Sequence, residues 1–363
     1  MSGRSSTDAR KRSTLATYIE LTKPRIVELL LITTIPAMAV AAGGWPDTLL
    51  VIAAVIGGSL SAGGANAINQ VYDSDIDSVM ARTKGRPLPT GRVSATAATI
   101  FGISLGIAGF VVLWLGTTLL AGILSLVAFA FYVFIYTMLL KRSSTQNIVI
   151  GGAAGAVPAL IGWAAVTGDL SVASWSMFAV IFFWTPPHFW ALSLKYEDDY
   201  RAAGVPMLPV VAGARSTYDQ ILWYSIVTVG ITFLVVPVAG LSWIYAGTAV
   251  VFAVPMVVLP LRLRTGKMHP MQFFGYTNLY LAAVFLSMMV DRFVFDTGFG
   301  GAWSWALVGT GFVVLSLIGV AMVEARPQAR AEGVSPARHI IEVGVTMAFA
   351  VALLVATWGA IAA

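Results

Sequence analysis

Residues 48–87 read TLLVIAAVIGGSLSAGGANAINQVYDSDIDSVMARTKGRP. From Thr48 to Tyr72 there is no charged side chain. Three aspartates, Asp73, Asp75 and Asp77, then follow within five residues, and Arg82, Lys84 and Arg86 come next. About 20 helical residues cross a ~30 Å hydrocarbon core, so the apolar run at 48–68 predicts a membrane-spanning helix. That helix delivers an acidic and then a basic segment to the membrane boundary. If it persists past the boundary, Asn69, Asp73 and Asp77 sit at i, i+4 and i+8 on one face, with Asp75 pointing roughly the other way.

The rest of the chain fits the same solvent. Of 363 residues, 58% are hydrophobic and 11% charged, with a mean hydropathy of +0.83. Soluble domains carry about 25% charged residues, so this composition predicts an all-α, polytopic transmembrane bundle. Apolar runs fall at 26–45, 48–68, 94–115, 117–140, 148–167, 172–194, 219–239, 242–261, 275–295, 302–322 and 340–361, which makes eleven spans. With the N-terminus inside, 21 of the 22 Lys and Arg residues fall on the inner side and only Arg292 on the other. The net charge of +5 is therefore topological, and it gives no reason to expect a nucleic-acid partner. Ala39-Val40-Ala41 resembles a signal-peptide cleavage site. The apolar run before it is longer than a signal peptide's, so the first span is expected to be retained. The absence of cysteine excludes disulfides, zinc-thiolate sites and cysteine nucleophiles.

Three oxygen acceptors on one face at a membrane boundary are costly unless neutralised. A divalent cation such as Mg²⁺, which takes one or two carboxylates together with substrate phosphates, meets that need. Arg82, Lys84 and Arg86 are suited to the phosphate oxygens. A calcium loop is excluded, because its sixth position would be Ser78 rather than Gly and its twelfth Lys84 rather than Glu. A second acidic patch, Glu197-Asp198-Asp199-Tyr200-Arg201, follows the sixth span. Here Arg201-x-x-Gly204-x-Pro206 repeats the spacing of Arg82-x-x-Gly85-x-Pro87. Paired acidic patches, basic residues and an apolar interior suit a substrate with a diphosphate head and a hydrocarbon tail. Metal ions would help the diphosphate depart, and the membrane would restrict water around the resulting cation. His188 lies within the sixth span in Trp184-Thr185-Pro186-Pro187-His188-Phe189-Trp190. The two prolines predict a break or kink, and an ionisable residue at membrane depth marks a candidate site.

At these residues the chain resembles the UbiA-type intramembrane prenyltransferases. The stretch from Asn69 to Thr83 is similar to the family's first aspartate-rich motif, and residues 199–209 to its second. Residues 184–190 and 141–158 resemble the haem-modifying branch in particular. The resemblance covers about residues 22–291. It implies transfer of a farnesyl group from farnesyl diphosphate to haem B, giving haem O, with Mg²⁺ as cofactor. On that analogy Asn69, Asp73, Asp77, Asp198 and Asp199 hold the metal. Arg82, Lys84, Arg86, Lys141, Arg142 and Arg201 contact the diphosphate, and His188 contacts haem or assists proton transfer. One departure is that Lys195 stands four residues before Asp199, where quinone-type members carry Asp.

The resemblance also organises the chain. It predicts an N-terminal cytoplasmic arm at 1–25, a nine-helix prenyltransferase core at 26–296 and a C-terminal transmembrane hairpin at 297–363. The acidic motifs would face the cytoplasm from the cell membrane, with contact to haem A synthase or oxidase assembly factors. Alternatives are prenylation of an aromatic quinone precursor, against which residues 184–190 argue, and cation transport. A transporter would spread its acids through several span centres, whereas these cluster at one face.

Overall fold

The computed structural model describes residues 13–295, 302–324 and 336–362. All regular structure in them is helical. In chain order the helices are α1 Thr14–Thr22, α2 Pro24–Ala42, α3 Thr48–Tyr72, α4 Ser74–Val79 and α5 Ala95–Gly116. Next come α6, Leu119–Ala130, prolonged by a π-helical Phe131–Leu140, then α7 Asn147–Thr167, α8 Val172–Lys195 and α9 Glu197–Ala202. The last five are α10 Leu208–Val238, α11 Trp243–Arg264, α12 Pro270–Val294, α13 Ala302–Glu324 and α14 Pro336–Ala362. Each of the eleven apolar runs lies on one of these helices. Ten helices among the described residues are long and apolar enough to cross a membrane, and α2 adds a shorter apolar stretch, Leu31–Ala42. The protein is an integral membrane helical bundle.

The helix that the others surround is α8. Most of its residues are buried, with Met177, Phe183 and Trp190 against Tyr224 and Ile221 of α10 and Phe273 of α12. Large aliphatic side chains such as Ile100, Ile107, Val251 and Leu115 are exposed on the outer helices, as a lipid-facing surface requires. The close contact of α3 with α5 is made by small residues. Gly57, Ser61 and Gly64 on one helix meet Gly102, Gly106 and Gly109 on the other, both at i, i+4, i+7. A Cβ on Gly64 would lie 2.4 Å from the Gly102 carbonyl oxygen.

The structure departs from the sequence reading in three places. Within the polar arm at 1–25, where the sequence reading placed no helix, residues 14–22 form one. α1 has Ser13 as its N-cap, Thr17 and Leu21 are buried, and Gln70 Nε2 donates to the Leu21 carbonyl at 2.9 Å. α8 continues through Pro186-Pro187 without ending, because surrounding protein buries most of it, both prolines included. The seventh span begins earlier than residue 219, at Leu208, with a break at Gly213, whose φ of 75° suits glycine.

α13 packs closely on α10. Gly230 and Gly309 face each other so closely that a Cβ on either meets the other's carbonyl oxygen at 2.9 and 2.7 Å. The C-terminal hairpin is thus packed into the bundle.

Candidate active site

The end of α3 and the start of α4 keep a nearly continuous helical path. The Asp73 N–H donates to the Asn69 carbonyl at 2.9 Å, and the Asp77 N–H to the Asp73 carbonyl at 2.8 Å. Asn69, Asp73 and Asp77 therefore share a face, and all three are buried at 2% exposure or less. Asp75 faces solvent, with its side chain 64% exposed.

Cations from three other segments close on this column. Lys141, just past α6, pairs with Asp73 Oδ2. Arg86 Nη1 reaches Asp77 Oδ1 and Oδ2 at 2.9 and 2.7 Å. Arg142 grips Asp75 through both nitrogens at 2.7 Å and lies 3.9 Å from Asp73 Oδ1. Its hydrogen bonds hold the Asp75 carboxyl down at about 2. The π-helical turn brings Thr137 inward, so that its hydroxyl accepts from Asn69 Nδ2 at 3.2 Å while Asn69 Nδ2 also donates to Asp73 Oδ2 at 2.7 Å. Two atoms of the site, Asp73 Oδ1 and Arg142 Nε, are buried without a hydrogen bond.

The sequence reading missed Lys23. It sits at the corner between α1 and α2 with φ 52° and ψ 64°, the one non-glycine positive φ among the described residues. Its ammonium donates to Asn69 Oδ1 at 2.9 Å. The corner is fixed because Asn66 Nδ2 donates to the Thr22 carbonyl at 3.2 Å beside the Gln70 bond to Leu21. Burial, then the neighbouring Arg86 and Lys141 charges, lower the Lys23 amine to about 7. The only sequence signal was a lysine before Pro24, and nothing local tied it to a position 46 residues away.

The second acidic patch is arranged differently from the first. Asp199 is half-buried and Asp198 exposed. Arg201 is exposed and pairs with Glu197 at i, i+4. Its counterpart Arg82 instead lies over the Tyr196 ring at 5.5 Å and near Tyr200, whose hydroxyl pKa is raised by burial. The repeated glycines also differ, since Gly204 has φ 66° and Gly85 does not adopt a positive φ. An apolar cluster of Ile76, Met80, Ile148, Tyr200, Val205 and Met207 packs the two patches together. Lys84 is exposed. No three acidic or imidazole groups among the described residues converge on one point.

Deeper in the bundle His188 is buried between two parallel rings, Trp184 at 4.3 Å and Phe274 at 4.2 Å. Its Nδ1 lies 2.8 Å from Thr277 Oγ1. That hydroxyl already donates to the Phe274 carbonyl at 2.8 Å, so it accepts from His188. Nδ1 therefore carries the proton and Nε2 keeps its lone pair, the form suited to ligating a metal centre or taking a proton.

Residues 30–279 match the sequence profile of the UbiA prenyltransferase family. A chain from Saccharopolyspora erythraea named protoheme IX farnesyltransferase 1 is 51% identical over 289 residues, which is 78% of this chain and 92% of its own length. One from Mycobacterium avium, protoheme IX farnesyltransferase, is 49% identical over 292 residues, 79% of this chain and 94% of its own. Among solved structures, a digeranylgeranylglyceryl phosphate synthase superposes with a TM-score of 0.65 over 78% of this chain and 99% of its own, at 19% identity. A UbiA homologue from Archaeoglobus fulgidus, bound to DMAPP and Mg²⁺, gives 0.52 over 93% and 99%, at 14% identity. These last two share the fold.

Proposed function

Because this chain belongs to the UbiA prenyltransferase family, we propose that it transfers a farnesyl group from farnesyl diphosphate to a vinyl group of haem B, giving haem O for haem-copper oxidase assembly. The observation that carries this reading is the buried Asn69–Asp73–Asp77 column ringed by Lys23, Arg86 and Lys141 at the end of an apolar bundle. The haem acceptor follows from relatives about 50% identical that bear that name.

The column fits a Mg²⁺ ion. Its donors are hard oxygens, and Asp73 Oδ1 is buried and unpartnered. Asp73, Asp77 and Asn69 would hold the ion, with Asp199 and the more exposed Asp198 available from the second patch. Bound there, it supplies neutralisation of diphosphate charge.

The remaining chemistry falls to the chain's own side chains. Lys23 turns from the Asn69 amide, and Arg86, Lys141 and Arg142 from the carboxylates, to the diphosphate oxygens, with Arg82 and Lys84 at the rim and Arg201 left to Glu197. The allylic C–O bond breaks with its electron pair leaving on the diphosphate. The vinyl carbon of haem B attacks the farnesyl cation, water adds to the new carbocation, and one proton is released. Trp184 and Phe274 hold the His188 ring so that Nε2 contacts haem or takes that proton. The acidic motifs face the cytoplasm from the cell membrane, residues 26–296 form the catalytic core, and haem O passes to haem A synthase or oxidase assembly factors.

The direct test is incubation of the purified protein with haem B, farnesyl diphosphate and Mg²⁺, with mass analysis of the haem products. A Mg²⁺-dependent hydroxyethylfarnesyl haem is expected. Absence of any new haem species from folded protein, with prenylation of an aromatic acceptor instead, would replace haem with a quinone precursor as the substrate.

A second prediction concerns Lys23. An amine near 7 in the free site gains protonation when a polyanion binds, so binding takes up a proton. The Lys23 contribution to affinity is fully present below about pH 7 and fades as pH rises through and above it. Calorimetry of inorganic diphosphate binding in buffers of different ionisation enthalpy should show that uptake. Lys23→Arg, charged at every accessible pH, should abolish it while keeping affinity. Equal proton uptake in both proteins would remove Lys23 from the site.

A further inference from the structure

Beyond the family match, which ends at residue 279, the hairpin of α13 and α14 carries a buried polar cluster that the reaction above does not use. Glu324 ends α13; His339 and Glu342 stand in the first turns of α14, and all three are less than 9% exposed. Carboxylates buried in this way destabilise a protein unless donors meet them. Here the donors come largely from the core. Gln146 Nε2 donates to Glu324 Oε1 at 2.9 Å, Gln220 Nε2 donates to the same atom, and His339 Nε2 lies 2.9 Å from Glu324 Oε2. The Ser144 hydroxyl donates to Glu342 Oε2. Arg338 spans the junction, with Nε on Glu342 Oε1 at 2.9 Å and Nη2 on Ser143 Oγ at 3.0 Å.

Apart from Gln220 on α10, those core partners belong to the turn that leaves α6 and enters α7. Its backbone is closed by the N–H groups of Ser143 and Ser144 on the Leu140 carbonyl, at 3.1 and 3.0 Å. Ser144 Oγ also accepts from the Gln146 N–H at 3.0 Å, so one hydroxyl joins the turn backbone to Glu342. The same turn begins with Lys141 and Arg142, the two cations on Asp73 and Asp75, and Arg142 also holds the Tyr72 carbonyl at 2.8 Å. The hairpin acids keep Gln146 and Ser144 as partners only while this turn keeps its shape, and a turn so held fixes where Lys141 and Arg142 emerge.

We propose that the C-terminal hairpin is a clamp on the diphosphate subsite. Glu324 and Glu342 are positioning residues that act through Gln146 and Ser144 on Lys141 and Arg142. The proposal rests on the reading of the Asp73 column as the diphosphate site. Neither acid touches substrate, so their loss shows in substrate binding and leaves the chemical step intact.

The test uses the full chain with Glu342→Ala, Ser144→Ala and Glu342→Gln. It compares calorimetric binding of inorganic diphosphate in Mg²⁺ with steady-state kinetics. For Glu342→Ala and Ser144→Ala, Kd for diphosphate and KM for farnesyl diphosphate should rise about tenfold, with kcat and the KM for haem B within about twofold. Glu342→Gln, whose amide oxygen still accepts from Ser144, should restore most of the binding. Adding Lys141→Met to Glu342→Ala should cost less than the sum of the two single changes, because both act through one cation. Wild-type protein that binds no diphosphate would overturn both the site reading and the clamp. Wild type that binds, alongside folded variants that bind equally well, would overturn the clamp alone. Equal losses in kcat and in both KM values would do the same, since they indicate general loosening. Should Glu342→Ala fail to fold, Ser144→Ala decides, because it removes a single hydroxyl.

Discussion

Asp73→Asn should lower the rate of farnesyl transfer by about 10²–10³-fold, with the protein still folded and its KM for farnesyl diphosphate little changed. The substitution keeps shape and removes charge at the one carboxylate among the described residues that has a buried oxygen without a hydrogen bond. Oδ2 is committed to Asn69 and Lys141, so Oδ1 is the group left to meet a cation. Removing the charge leaves Lys23, Arg86, Lys141 and Arg142 in place to bind diphosphate. Binding should therefore persist while neutralisation of the departing group fails, and the loss falls on kcat. Asp75→Asn is the matched control. That carboxylate is mostly exposed and held by Arg142, so its loss should change the rate by no more than a few-fold. The measurement is product formation across a Mg²⁺ titration for both variants. Equal rates for Asp73→Asn and wild type at saturating Mg²⁺ would remove the first acidic motif from catalysis.

What the sequence revealed of this site follows the range over which its residues are ordered. Asn69, Asp73 and Asp77 were legible as one face because a single helical period connects them, and the exposed position of Asp75 follows from the same arithmetic. The ten long apolar helices and the shorter apolar stretch of α2 were legible because the bilayer imposes a length and basic residues mark the loops. Lys23 was hidden, since it reaches Asn69 only through the corner that Asn66 and Gln70 fasten. The π-helical end of α6 was hidden too. Nothing in the residues around Tyr132, Tyr136 and Thr137 announces an i to i+5 ladder, yet that ladder turns Thr137 toward Asn69. The spacing shared by the two acidic patches was real in sequence and misleading in detail. Arg201 found Glu197 one turn away, whereas Arg82 found aromatic rings of the other patch. The Pro-Pro pair of α8 predicted a break because local rules assume a helix with free sides, and this one is mostly buried.

Gly64→Val should abolish recovery of folded protein, because it attacks the contact that sets the position of Asn69. α3 and α5 approach through two matched stripes, and a Cβ at Gly64 would meet the Gly102 carbonyl oxygen at 2.4 Å and the Gly106 nitrogen at 2.9 Å. Both obstacles are backbone atoms, so no rotamer change relieves them and the helices must separate. Overpacking typically costs about 1–3 kcal/mol even where side chains can yield, and here the cost should lie at or above the top of that range. Lipid offers no hydrophobic force to push the helices back together, since small-residue packing itself holds them. Gly58→Val, nearly two turns away on the same helix with nothing within 4 Å of its Cβ, should leave the protein intact. Size-exclusion profiles and thermal unfolding of the two variants in detergent separate the cases. If Gly64→Val gives a monodisperse protein with wild-type stability, α3 and α5 do not meet at Gly64. The placement of Asn69 and Asp73 at the end of α3 would then need another support, because Gly64 lies only about 7 Å of helix before Asn69.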